Sequence, residues 1–278
     1  MSRAPLSSRH RRAFVTGASS GLGRAFAEML LAEGVEVWGS SRDPLRLQCF
    51  AGVPRFHPVR LDLAVEGSAA AAFAAAEQEA GGAFDLVVLN AGYGLFAPFE
   101  ELPFAAWRTQ LGALLVETAA LAHAARARMN SLDTPCALVF VSSLAAEFPL
   151  PFMAGYNMSK AALSALAESI MDEARGSPVS IIDFRPGDHR TDFNRGMEQR
   201  GIRLTPRSSP VWASVEANLQ AAPGVSRAAA DLRRALARGR SATVRSGGFF
   251  QGRIAPLLTL FPFRLQRWVR AAYFGNQP

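Results

Sequence analysis

The feature that most restricts how this chain can fold is an alternation. Short, nearly continuous apolar runs recur at Ala13-Phe14-Val15, Val35–Gly39, Arg55–Arg60, Phe84–Leu89, Ala137–Val141 and Val179–Phe184. Between them lie stretches that suit helices. The first is roughly Gly21–Glu33, with Leu22, Phe26, Met29 and Leu30 at apolar positions; the second is an alanine-rich 65–80 that ends at Gly81-Gly82. About Phe104–Met129 and Ala154–Ala174 follow. A run apolar at every position must be covered on both sides, which is the situation of a strand inside a parallel sheet. Parallel neighbours need a crossover connection, and the helices supply it. The expected class is therefore α/β: a doubly wound parallel sheet of about seven strands, Ala242–Arg245 being the last, with helices on both faces.

The first strand runs into Thr16-Gly17-Ala18-Ser19-Ser20-Gly21-Leu22-Gly23, and a helix follows at once. Strand, glycine-rich turn and helix form the context in which a loose glycine pattern becomes a dinucleotide site. The glycines allow backbone to approach a pyrophosphate, and the helix N-terminus offers free N–H groups and positive potential. The second strand ends at Ser40, Ser41 and Arg42, with Asp43 only after the arginine. A carboxylate at that strand end would hold a ribose 2′-hydroxyl. A serine beside a guanidinium suits a 2′-phosphate, so NADP(H) is expected rather than NAD.

Tyr156 and Lys160 stand four apart on the helix over Ala154–Ala174 and so share one face. That spacing is common without chemical meaning. Here, however, Lys160 is the only lysine in the chain, against 29 arginines, and Tyr156 is one of three tyrosines. An ammonium is a compact point charge that a planar guanidinium does not imitate. A cation in that place is expected to lower the phenol's pKa toward the working pH and make Tyr156 a usable acid or base.

In this order the motifs resemble the short-chain dehydrogenase/reductase family, over about residues 12–245, and imply a Rossmann-type fold. The cofactor turn is Thr16–Gly23, with Gly17, Ser19, Ser20, Gly21, Leu22 and Gly23 at the dinucleotide. The resemblance puts Asp62 and Leu63 on the adenine side, beside Ser41 and Arg42, and sets Asn90, Ala91 and Gly92 under the cofactor. Ser143 is the active-site serine, Tyr156 and Lys160 the Tyr-x-x-x-Lys pair, and Pro186, Gly187 and Thr191 the nicotinamide-end element. The family's chemistry implies that Tyr156 protonates a carbonyl oxygen, that Ser143 orients it, and that Lys160 tunes the tyrosine and binds the nicotinamide ribose. One position departs from the family. Where many members carry a fourth active-site residue, an asparagine, this chain has Leu114, which puts the usual proton relay in doubt. Gln110, one turn earlier, is the nearest replacement.

One domain over residues 12–248 is expected, with 1–11 a flexible N-terminus and 188–222 a lid region over the substrate. The stretch 249–278 is expected to pack on the substrate pocket or on a partner. Within it Ile254–Phe263 is strongly apolar and is followed by Arg264, Arg267 and Arg270, so a membrane-surface segment is the alternative. The net charge of +7 invites a nucleic-acid reading. The arginines are dispersed without interleaved aromatics, so no nucleic-acid partner is expected. Cys49 and Cys136 sit in apolar surroundings, and the four histidines lack metal-ligand spacing, so neither a disulfide framework nor a metal is expected. With no apolar run long enough to span a bilayer and no leader pattern, the reading is cytoplasmic. The function expected is an NADP-dependent oxidoreductase moving a hydride between the nicotinamide and a carbonyl or secondary alcohol. The substrate is expected to be lipophilic, given Phe148, Leu150, Phe152, Met153 and Phe193. The alternative is an NADP-binding protein of low turnover that serves as a redox-sensing regulator or scaffold. By analogy with the family, a homodimer or homotetramer is expected.

Overall fold

The computed structural model describes residues 4–198, 202 and 204–275. Seven strands form one sheet: β1 (Arg12–Val15), β2 (Glu36–Ser41), β3 (Phe56–Arg60), β4 (Leu86–Leu89), β5 (Cys136–Val141), β6 (Val179–Pro186) and β7 (Ala242–Ser246). Their order is β3-β2-β1-β4-β5-β6-β7, and every pairing is parallel. Strand order therefore reverses between β1 and β4, and the crevice beyond the carboxyl ends of these two strands is where doubly wound sheets bind ligands.

The strands bury both faces because alternate residues serve different layers. Val15, Val37, Val88, Val139 and Ile182 face one layer, packed by α1 (Gly21–Ala32) and later by the helix over Val225–Arg238. Phe14, Trp38, Val87, Leu138 and Ile181 face the other, against α2 (Ser68–Ala80) and the two long helices after β4 and β5. Phe14, Phe73 and Phe84 meet with ring centroids 5.3–5.5 Å apart and fill that layer.

The helix expected over Phe104–Met129 forms as three consecutive pieces: α3 (Phe104–Leu111), one π-type stretch (Gly112–Val116) and α4 (Glu117–Met129). The wide turn falls on Leu114, at the wall of the cleft described below. The helix α5 (Ala154–Glu173) follows β5, and beyond β6 come α6 (Phe193–Glu198), α7 (Ser209–Ala221) and α8 (Val225–Arg238). The region expected to form a lid after Gly187 carries a helix, α6, whose Met197 and Asn194 are buried. Residues 199–201 and 203 of the expected lid region lie outside the described residues.

Two expectations fail at the edges. The N-terminus is not loose over residues 4–11. Leu6 is buried in the core, its N–H donates to Glu33 Oε2 at 2.9 Å, and the Ser7 N–H donates to the Glu33 carbonyl. An apolar side chain among polar neighbours is enough to anchor the segment. Residues 1–3 lie outside the described residues. Cys49, expected in apolar surroundings, is exposed; Cys136 is buried.

After β7 the chain forms a π-type turn (Phe250–Ile254), a 3-10 stretch (Ala255–Leu260) and α9 (Phe263–Tyr273). Its inner side joins a third apolar cluster with Phe96, Phe148, Met153, Met197, Val211 and Trp212, to which it contributes Ala255, Phe274, Phe250 and Tyr273. Its outer side exposes Phe249, Leu260, Phe263 and Trp268. Among the described residues no helix is long and apolar enough to cross a membrane.

Candidate active site

The carboxyl ends of β1, β2, β4, β5 and β6 open into a cavity of about 950 Å³. At its floor Thr16 ties β1 to β4. Its hydroxyl accepts from the backbone N–H groups of Asn90 and Ala91 at 2.8 and 2.9 Å, and Asn90 Nδ2 donates back to the Thr16 carbonyl at 3.0 Å. Gly17 and Gly21 take φ of +71° and +54°, which turns the chain from β1 into α1. A methyl at Gly23 would collide with the Gly17 carbonyl oxygen and with Asn90 Nδ2. Gly23 therefore does not line the cavity; it lets α1 close on β1 and β4 behind it. Gly17, Ser19, Ser20, Gly21 and Leu22 do line it, with the N-terminus of α1 facing in.

At the end of β2, Ser41 is buried and Arg42 exposed, and both line the cavity. Asp43 points elsewhere. Its carboxylate accepts from Leu45 N–H at 3.0 Å and caps the 3-10 turn over Pro44–Phe50. Arg46 on that turn brings a second guanidinium to the same rim, a contribution that the strand-end pattern in the sequence does not signal. Asp62 and Leu63 follow β3 on the adjoining wall, with Asp62 Oδ1 accepting from Ala64 N–H. Asn90, Ala91 and Gly92 follow β4 opposite them. These surfaces fit a dinucleotide: a glycine cradle closed to any side chain, a helix N-terminus and two guanidinium groups at the rim.

Ser143, Tyr156 and Lys160 meet at the other end. Ser143, in extended backbone after β5, accepts from Ala145 N–H at 3.0 Å and hydrogen-bonds Tyr156 through its side chain. Lys160 is 4% exposed and donates to the Val141 carbonyl at 2.7 Å, with its Nζ 5.8 Å from the Tyr156 ring centre. The expected lowering of the phenol's pKa is not found in the chain alone. Burial pushes Tyr156 up to about 12, Ser143 opposing and the nearby charge of Asp188 adding to the rise. Burial likewise brings Lys160 down to about 8, against the pull of Asp183. Desolvation is the largest effect here, so the phenol holds its proton firmly.

Pro186, Gly187 and Thr191 complete the wall. Gly187 is pinned by its N–H to the Ser246 carbonyl at 2.7 Å, and a methyl there would strike Gln251 Oε1. Leu114 lines the cavity on the π-type turn, 3.9 Å from a methyl built on Gly92. Gln110 gives no substitute for an asparagine at that position: its Nε2 donates to the Tyr93 carbonyl at 3.2 Å, and it does not face the cavity.

The sequence gives no warning of the ion-pair system behind the site. Asp183, on β6 and fully buried, accepts from Ser142, from Ser164 at 2.7 Å and from Arg185 Nε at 2.6 Å. Arg185 also pairs with Glu147 and Glu168, and Arg245 donates to Glu147 at 2.6 Å. Gln251, Ala255, Tyr273 and Phe274 of the C-terminal segment line the cavity, and His189 does so with its Nε2 3.1 Å from Ser246 Oγ. Only β-strand alternation carries a signal in sequence for such groups, and it marks Asp183 merely as an acid in an apolar run.

The family profile described as short chain dehydrogenase matches residues 11–201. An uncharacterized oxidoreductase of Myxococcus xanthus (strain DK1622) is 38% identical over 184 residues, which is 64% of this chain and 72% of that protein. A short chain dehydrogenase of Burkholderia cenocepacia J2315, solved in complex with NADP, superposes with a TM-score of 0.72 at 25% identity, covering 97% of this chain and 99% of that one. A short chain dehydrogenase/reductase of Burkholderia phymatum, solved with NAD, has the same fold, with a TM-score of 0.79 at 21% identity over 100% and 98% of the two chains.

Proposed function

The chain belongs to the short-chain dehydrogenase family, an oxidoreductase of that type, and from this premise we propose that it is an NADP(H)-dependent carbonyl reductase or the reverse alcohol dehydrogenase. The observation that carries the reading is the convergence of Ser143, Tyr156 and Lys160 on one cavity whose far end is the glycine cradle. Bound there, the nicotinamide cofactor supplies or accepts the hydride. Gly17, Ser19, Ser20, Gly21, Leu22, Asp62, Leu63, Asn90, Ala91, Gly92, Pro186, Gly187 and Thr191 hold it. Arg42 and Arg46 beside Ser41 favour a 2′-phosphate, since the one carboxylate at that strand end, Asp43, is spent on its own turn.

Tyr156 gives its proton to the carbonyl oxygen as negative charge develops there. A phenol held protonated by burial suits the reducing direction. Ser143 donates to the same oxygen and fixes its position. Lys160, anchored on the Val141 carbonyl, adds positive potential beneath the phenol. The walls beyond these groups, including Phe148, Leu150, Met153, Phe193 and Phe274, suit a lipophilic substrate.

Oxidation of NADPH and NADH is followed over a panel of aliphatic and aromatic ketones and aldehydes. Turnover with NADPH is expected, and background rates with both cofactors, unchanged by Tyr156→Phe, would leave only a cofactor-binding protein. Fluorescence titration is expected to give tighter NADPH than NADH binding, with the difference reduced in Arg42→Ala; tighter NADH binding would refute the NADP assignment.

A second reading concerns location. The outer side of the last segment combines exposed Leu260, Phe263 and Trp268 with Arg264, Arg267 and Arg270, a pattern suited to an anionic membrane surface. Flotation with anionic vesicles tests it: equal flotation of the full chain and a chain ending at residue 248 removes the reading.

A further inference from the structure

Among the ionisable groups that line the cavity, Asp188 is one that the chemistry above does not use. Asp188 directly follows Gly187, lines the cavity, and lies near enough to Tyr156 and Tyr273 for its charge to weaken both phenols as acids. Its carboxylate accepts from Gln251 Nε2 at 2.5 Å, and its N–H donates to Gln251 Oε1 at 2.7 Å. Gln251 Nε2 also reaches Tyr273 Oη at 2.9 Å. The C-terminal segment therefore aims this side chain.

What Asp188 lacks is a cation. Asp183, Glu147 and Glu33 each pair with an arginine, and Asp85 and Glu117 each accept two backbone N–H groups. Among the described residues nothing of positive charge pairs with Asp188, although Lys160 and Arg195 line the same cavity. Burial accordingly pushes its carboxyl above the usual range, with the Gln251 hydrogen bond opposing. By surface exposure Asp188 is half-buried, and a partly desolvated carboxylate without a counter-ion is costly; a ligand that brings the counter-ion removes that cost.

We propose that Asp188 is the counter-charge for a cationic nitrogen of the substrate, so that the cavity takes amphiphilic amino ketones and amino alcohols. This rests on the reading of the cavity as a carbonyl-reducing site. Asp188 lines the same cavity as Ser143 and Tyr156 and lies close enough to the phenol for its charge to act on it, so the ammonium sits on the reacting side of the substrate. The alkyl chain runs along Phe148, Met153 and Phe274. Reduction consumes the cofactor's hydride and the proton of Tyr156; the ammonium keeps its protons and acts only in recognition.

The test compares an α-amino ketone bearing a linear alkyl tail with the alkyl ketone of equal length that lacks the nitrogen, using the full chain and NADPH. The matching primary alkylamine is titrated by thermal shift with NADP present. The amino ketone is expected to lead in kcat/KM by about 100-fold, and Asp188→Asn to reduce that lead to a few-fold. The alkylamine is expected to raise the melting temperature of the parent and not of Asp188→Asn. The variant itself is expected to melt no lower than the parent at neutral pH, because it removes a charge that burial disfavours; a marked fall would show the carboxylate already compensated and overturn the proposal. Equal kcat/KM for the two ketones, or a preference that survives in Asp188→Asn, overturns it too. If neither ketone is reduced, the reductase reading fails by itself, and the alkylamine still decides Asp188: equal shifts in both proteins reject the counter-charge.

Discussion

Tyr156 and Lys160 owe their pairing to where the chain places them, not to their spacing. Lys160 reaches past the tyrosine ring to the Val141 carbonyl at the end of β5, so it is fixed by the sheet as well as by its own helix. Replacing it with arginine keeps the charge but puts a larger planar group into a site only 4% exposed. Lys160→Arg is expected to lose most activity rather than preserve it, as steady-state rates will show. Tyr156→Phe removes the proton donor and leaves the ring packed against Phe193. Its kcat is expected to fall by about 10²- to 10⁴-fold with cofactor affinity nearly unchanged, measured by NADPH oxidation and fluorescence titration. Comparable losses of both would point to a misplaced helix instead.

At the scale of elements, the turn between β1 and α1 is closely packed. Gly23→Ala would force its methyl against the Gly17 carbonyl and the Asn90 amide, the latter held by the Thr16 carbonyl. Overpacking of this kind costs about 1–3 kcal/mol. The variant is expected to fold with a lowered melting temperature and to bind NADPH much more weakly; unchanged binding would contradict the cradle. The last segment is the opposite case, an element whose role its own sequence left open. Its inner residues Phe250, Tyr273 and Phe274 surround Phe148 at centroid distances of 5.7–6.3 Å. Ending the chain at residue 248 strips that cover, and each buried aromatic lost is worth about 2 kcal/mol. Lower thermal stability and binding of a hydrophobic dye are expected; an unchanged melting curve would mean that the segment does not pack on the pocket.

For the molecule as a whole, the segment before β1 links pH to stability. His10 is 1% exposed, and its pKa is pushed down to about 4 by burial and by Arg9, with Asp85 opposing. Unfolded, it takes a proton near the ordinary value of about 6.5. The contribution of His10 to stability is therefore fully present above about 6.5 and is lost as pH drops toward about 4, by up to about 3 kcal/mol. Melting temperatures recorded between about pH 7 and pH 5 should fall more steeply in the parent than in His10→Leu, and parallel slopes would reject the assignment. The sequence alone determined the α/β class and the strand positions to within about two residues. These follow from local causes: continuous apolar runs that must be covered on both faces, glycine where backbone must turn or touch, and helix-length crossovers between parallel strands. The tertiary structure decided the rest. Asp183 meets Ser164, and Arg185 meets Glu147, only because β6 packs against α5 and the turn after β5. Asp188 and its partner Gln251 stand 63 positions apart, and Tyr273 lies 22 further on. The proton affinity of Tyr156 depends on how much water the assembled walls exclude. Solvent exclusion and long-range charge are properties of the enclosed volume, and no stretch of residues carries them by itself.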